Sequence, residues 1–246
     1  MIPTRELIAF AAAVAATALS VSLGNWQMRR AEQKQVLQST WDGAERAQPV
    51  ELVDANLGEV AQRLPLRVAL RGRLLPEHEI WLDNRFMNGR AGLMLIVPMS
   101  LGDGTAVLVN RGFAARDSND RGRLPIVARP VGEVVIEGIA VAHTARVLAL
   151  GDNAPEAAGQ PRVWQNLDFD AFERVSSLAV PRWVVQQTGG DADGLLRNWP
   201  RPDAGVDKHR GYALQWYSLA ALIVALTLFF GVRALRGRAR PLRTDE

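Results

Sequence analysis

The sequence predicts a membrane protein with two transmembrane helices flanking an extracytoplasmic α+β domain dominated by antiparallel β-sheet. Three features predict it. Two long uncharged apolar runs stand near the two ends of the 246-residue chain. Aromatic residues that favour the headgroup level, Trp26, Trp216 and Tyr217, stand beside or within the runs. Between the runs lie short apolar segments separated by glycine, proline and aspartate turns, the punctuation of a sheet.

The first run, Leu7 to Leu23, has 17 residues and the second, Gly211 to Val232, has 22. A bilayer core of about 30 Å takes about 20 apolar helical residues, with about 17–25 tolerated, so both can span. Ala16-Thr17-Ala18 is a small-x-small site, which gives the first run a rival reading as a cleaved signal peptide. Glu6 offsets Arg5 before the run, and Leu19 to Trp26 carries on without a polar stretch, which favours an uncleaved anchor. Arg233, Arg236, Arg238, Arg240 and Arg243 follow the second run, and positive flanks stay cytoplasmic. Arg29, Arg30 and Lys34 pull the other way, but they open a long loop, where the charge rule is weaker. The expected organisation is therefore a cytoplasmic N-terminus over 1–6, a first span over 7–24 and an extracytoplasmic domain over 25–210. A second span over 211–232 and an Arg-rich cytoplasmic tail over 233–246 complete it, with both termini inside.

Within the outer domain, Arg67 to Leu74 alternates in part as a strand does, with Gly72 marking a bulge or a close approach. Ile80 to Asn84, Leu93 to Val97, Ala106 to Asn110, Glu133 to Val141 and Trp183 to Gln186 read as further strands. Gly102-Asp103-Gly104 is a hairpin signal between two of them. Asp168 can cap a helix through Phe169, Phe172 and Val175, and Asp54 can start a short one. Short turns between strands favour an antiparallel sheet or an incomplete barrel with helices on its flank. Gly151 to Pro161 reads as a surface loop, and Asp191 to Asp207 as the linker back to the membrane. Asp83-Asn84-Arg85 and Val109-Asn110-Arg111 echo each other as strand ends. They suit either ordinary turn chemistry or a shared anion or partner surface.

The composition closes several functional classes. The net charge is only +3, and the basic excess gathers partly in the tail, so nucleic-acid binding is a poor explanation of it. No cysteine is present, which removes disulfides, thiolate catalysis and thiolate-bound metals. Imidazole can come only from His78, His143 and His209. No Gly-x-Ser-x-Gly, Ser-x-x-Lys, paired-histidine zinc motif or Gly-rich phosphate loop is present, so no catalytic residue is assigned and an enzyme is not expected. His78 and His143 read as solvated.

The informative chemistry lies where the chain meets the membrane. On a helix, His209, Tyr212, Ala213 and Trp216 share one face by their spacing. Trp216 falls about 10 Å below His209. An imidazole at the water boundary above descending aromatic surface suits a planar apolar ligand with anionic groups on one edge. Haem is such a ligand, with His209 for its iron and Lys208, Arg210, Arg29 or Arg30 for its propionates. The plainer reading is an interfacial anchor in membrane lipid, and from these residues alone it is the safer one.

Gly24-x-Trp26-Gln27-x-x-Arg30 with Lys34, Asp83-Asn84-Arg85, Ala91-Gly92 with Pro98, and Val109-Asn110-Arg111-Gly112 occur in this order, followed by His209-x-x-Tyr212-Ala213-x-x-Trp216-Tyr217. Together they resemble the Surfeit locus protein 1 family over nearly the whole chain. The resemblance implies an integral-membrane assembly factor for haem-copper cytochrome c oxidase, associated with haem a insertion, in a bacterial inner membrane with a periplasmic domain. It implies His209 as the haem iron ligand, with Tyr212, Trp216, Trp26 and Arg30 as cofactor-binding residues. The partners implied are the catalytic subunit of the oxidase and other assembly factors; a scaffold that binds no haem is the alternative. The sequence departs from the family pattern at Leu93, at Phe113-Ala114-Ala115 and at Asp207, outside the His-x-x-Tyr-Ala core.

Overall fold

The computed structural model describes residues 4–102, 105–117, 120, 122–148, 162–190, 193–201 and 205–238. The expected turn residues Asp103 and Gly104, the stretch 151–161, and Arg240 and Arg243 lie outside them. The chain forms two units: Met1–Ser39 with Pro202–Glu246, and Thr40–Arg201.

The first unit is a pair of helices. Helix α1 (Thr4–Arg46) contains the first apolar run, and the last helix, Val206–Arg238, contains the second. Only 11% and 6% of their apolar windows are buried. A core helix of a water-soluble domain would hide most of that surface, so these helices face lipid. The two touch along a narrow seam. Thr17, Ser20, Gly24, Gln27, Ala31 and Lys34 recede on α1, alternately three and four residues apart; His209, Ala213, Trp216, Ala220 and Ile223 recede on the other helix. Small residues at the seam let the backbones approach, which is how helices associate where lipid removes the hydrophobic drive. The hydroxyls of Thr17, Ser20 and Thr227 donate back to the carbonyls of Ala13, Ala16 and Ile223, so none is stranded.

Helix α1 also runs past the apolar run to Arg46, so the polar segment after Arg30 is helical. Its Gln-, Glu-, Lys-, Arg- and Ala-rich composition is that of a strong helix former.

The second unit is built on one sheet. Its strands are β1 (Val50–Leu52), β2 (Leu66–Leu74), β3 (Ile80–Met87), β4 (Arg90–Ser100), β5 (Ala106–Ala115), β6 (Glu133–Val141), β7 (Arg162–Trp164) and β8 (Val184–Gln187). A 3-10 turn at Asp54–Asn56 leads into α2 (Leu57–Val60), where the sequence places a short helix. Helix α3 (Phe169–Ser176) starts as expected, with the Asp168 carboxylate accepting from the Ala171 N–H at 2.9 Å. The last helix, Val206–Arg238, is α4.

The strand order is β1-β2-β6-β8-β5-β4-β3-β7, mostly antiparallel, with parallel pairs at β1–β2, β3–β7 and β5–β8. Strand β2 also meets β4 through Arg73–Ser100 and Leu74–Met99, which closes β2, β6, β8, β5 and β4 into a ring rather than leaving an open sheet or an incomplete barrel. Gly72 is the close approach that permits this, because a Cβ there would lie 2.0 Å from the Ser100 carbonyl oxygen. Strands β4 and β5 are buried on both faces. Leu93, Leu95 and Val97 join one apolar cluster with Trp81 and Trp183; Met94, Ile96 and Leu108 join another with Phe172 and Trp164. Burial on both faces explains the continuous apolar runs there.

Two expectations need correction. The Asn-Arg pairs do not end strands: β3 and β5 run on to Met87 and Ala115, and each pair sits at a register shift against β4. Asn84 takes φ +56°, the turn conformation its side chain tolerates, inside a strand. Nor is the stretch after Asp191 a simple linker. Leu195 is buried, and Leu196 exchanges two 2.8 Å backbone hydrogen bonds with Phe113, because an apolar pair within the polar segment finds the sheet.

Candidate functional site

The boundary end of the helix pair is fastened by three polar contacts across the seam. His209 Nδ1 meets the Gln27 side-chain oxygen at 2.6 Å. Tyr217 donates its hydroxyl proton to Asn25 at 2.7 Å, and Arg210 donates to Gln35 at 2.8 Å. Gly24 makes the second contact possible: a Cβ there would sit 2.5 Å from the Tyr217 ring. The two sequence blocks at this boundary are therefore halves of one joint. Gly24, Asn25 and Gln27 receive His209 and Tyr217.

These contacts fix how the helices rotate against each other, and so which side chains share a flank. At 3.6 residues per turn, Tyr212 and Trp216 lie about 60° and about 20° round from His209, away from Arg210. Arg30 and Trp26 lie about 60° and about 100° round from Gln27 in the same sense. His209, Tyr212, Trp216, Arg30 and Trp26 thus fall on one flank of the seam. Tyr212 and Trp26 are exposed, at 43% and 44%, while His209 and Trp216 are half-buried. The Arg30 guanidinium lies 5.8 Å from the Trp26 ring centre and donates to Gln33, a cation held against an aromatic face.

Arg29 and Arg210 belong to the other flank, where they line a cleft of about 510 Å³ with Asn25, Met28, Glu32 and Gln35. The four cations expected at one ligand edge therefore divide: Arg30, and Lys208 by its spacing, accompany His209, and Arg29 and Arg210 do not. Gln27, Asn25 and Tyr217 are functional candidates that spacing along one helix does not reveal.

His209 has one ring nitrogen engaged, and its Nε2 makes no hydrogen bond among the described residues. A neutral imidazole with Nδ1–H donating would leave the Nε2 lone pair for a metal. The exposed aromatic surface below it suits the face of a large planar ligand. The donor set fits haem.

The other two imidazoles offer less. His143 is exposed, with Nδ1 3.2 Å from the Thr144 carbonyl oxygen, and His78 is half-buried in a 3-10 turn. No cluster of metal-ligating side chains occurs among the described residues.

In the sheet unit, Arg85 and Arg111 are each only 3% exposed. Arg111 is neutralised by Asp193 at 2.7 Å, a carboxylate that Arg197 also holds. Arg85 instead donates to the Gln165 carbonyl oxygen at 2.7 Å, and its Nε and Nη1 find no partner among the described residues. Burial pushes both guanidiniums below the ordinary arginine value, opposed by Asp83 for Arg85 and by Asp193 for Arg111. Buried as they are, the two arginines do not form a shared binding surface. A surface groove of about 720 Å³ does open beside the first pair, lined by Asp83, Asn84, Phe86, Arg90 and Arg116, with Phe86 67% exposed. Leu93 and Phe113, two departures from the family pattern, are fully buried core residues, and Asp207 is exposed.

Residues 14–221 match the SURF1 family. A SURF1-like protein of Monosiga brevicollis is 26% identical over 237 residues, covering 86% of this chain and 83% of its own. A SURF1-like protein of Dictyostelium discoideum is 28% identical over 116 residues, covering 44% of this chain and 43% of its own. Neither relative is bacterial, so they lend the expected bacterial source no support.

Proposed function

Because the chain belongs to the SURF1 (Surfeit locus protein 1) family of cytochrome oxidase assembly factors, we propose that it holds haem a at the His209 flank and passes it to the oxidase catalytic subunit. The observation that carries this is the joint itself. One imidazole nitrogen is tied to Gln27, the other makes no hydrogen bond among the described residues, and Tyr212 and Trp216 follow His209 on the same helix face. Haem a would be cargo here: His209 would hold its iron through the imidazole, the aromatic side chains would give it an apolar bed, and Arg30 would meet a propionate. A single imidazole in a half-open setting suits a holder that must also release. On this reading the sheet domain lies on the periplasmic side and both ends of the chain lie inside, following the arginines after α4. The family is one of assembly factors and not of enzymes, and no turnover chemistry is assigned to the chain.

The test is an absorption spectrum of detergent-purified protein from haem-a-producing cells, beside His209→Ala. A haem a band that is strong in the parent and lost in the variant is expected. Equal bands in both would remove the ligand assignment.

A scaffold that binds no haem is the second reading. The groove beside exposed Phe86 favours it, as a surface for a partly assembled oxidase subunit. That reading expects Phe86→Ala, and not His209→Ala, to abolish capture of the subunit.

A further inference from the structure

We propose that Gln27 is a positioning residue: its side-chain oxygen keeps the His209 proton on Nδ1 and so leaves Nε2 as the ligating nitrogen. This rests on reading His209 as the haem ligand, and it assigns a role to a residue on the opposite helix.

The two nitrogens of a neutral imidazole are not equivalent, and the hydrogen bond made by one decides what the other can do. In water the neutral ring favours the proton on Nε2, the tautomer that cannot ligate through that atom. A fixed acceptor at Nδ1 reverses the preference, and the Gln27 oxygen is 2.6 Å away. Among the described residues no backbone carbonyl competes for Nδ1: the preceding-turn carbonyl of Gly205 takes the His209 main-chain N–H at 3.2 Å. Gln27 is itself half-buried at the seam, between Gly24 and Ala31, which are both buried. The acceptor is thereby held by the same close packing that brings Tyr217 against Gly24. A ring fixed by an outer partner presents its lone pair in one direction and binds metal more strongly than a free one.

Gln27→Met keeps the length and removes the acceptor; Gln27→Glu keeps an acceptor oxygen. The full chain, labelled with 15N-histidine in detergent micelles without haem, is read by long-range proton–nitrogen correlation, with His209→Ala assigning the signal. The parent and Gln27→Glu are expected to carry the proton on Nδ1, and Gln27→Met on Nε2. Haem titration should then show Gln27→Met weaker by about 10–100-fold, the usual cost of losing an outer partner. Gln27→Glu should restore binding, which a mere packing role for this side chain would not require. A parent ring protonated on Nε2, or a tautomer unchanged in Gln27→Met, overturns the proposal. If His209→Ala binds haem as well as the parent, the ligand role fails while the tautomer result stands, so the two failures are distinguishable.

Discussion

The helix pair and the sheet unit are held together by opposite means. The seam of the pair is made of Ser20, Gly24, Ala31, Ala213 and Ala220, with polar side chains bridging it at one end. The sheet unit hides Trp81, Trp183, Phe113 and Phe172 at 1% exposure or less, and buries charged arginines besides. Solvent explains the difference. Water drives large apolar side chains inward, at about 1.5–3 kcal/mol for a buried Leu or Phe. Lipid provides no such drive, so close backbone approach and hydrogen bonds decide the pairing there.

The largest test falls on the sheet unit. Asp193→Ala strips the carboxylate from Arg111 and Arg197, whose side chains are each only 4% exposed. An uncompensated buried charge costs about 3–5 kcal/mol, so the sheet circular dichroism of the full chain should melt many degrees lower. An unchanged melting point would break the contrast, because that charge would then not need its partner. Next in size, Gly24→Leu drives a side chain into the Tyr217 ring, an overpacking cost of about 1–3 kcal/mol. Unfolding in graded SDS mixed micelles should require less SDS. Resistance equal to the parent would show that the pair tolerates separation and that its contacts are incidental. The smallest effect is expected for Tyr217→Phe, which removes the hydrogen bond to Asn25 and leaves the ring in place. Hydrogen bonds between membrane helices average about 0.6 kcal/mol, so the SDS midpoint should move only slightly. A shift as large as that of Gly24→Leu would sharpen the contrast, assigning the joint mainly to its polar groups.

The sequence and the structure agree where a signal is local. The apolar runs mark α1 and α4, Glu133–Val141 coincides with β6, and Asp168 caps α3. Strands β1 and β7 are missed because each has three residues and pairs in parallel with a distant segment. The helical extension to Arg46 was legible in propensity, since its first break-prone residue, Gly43, lies almost at its end. Asn84 adopts the turn conformation expected of it, yet neither Asn-Arg pair ends its strand, because a bulge borrows turn chemistry without ending the strand. At the site, His209, Tyr212 and Trp216 share a flank by spacing along one helix. Their company was not legible: whether Arg29 or Arg30 stands beside His209 depends on helix rotation, which Gln27 and Tyr217 set jointly.

The closure of the sheet at Gly72 also bears on self-association. With β2 joined to both β6 and β4, the strands left at the margins among the described residues are β1 and β7, of three residues each. Strand β7 covers Ile80–Leu82, and the bulge at Asp83–Asn84 interrupts the β3 margin beyond it. Short, broken margins give a neighbouring chain little backbone to pair with. Concentrated protein should therefore resist strand-to-strand aggregation.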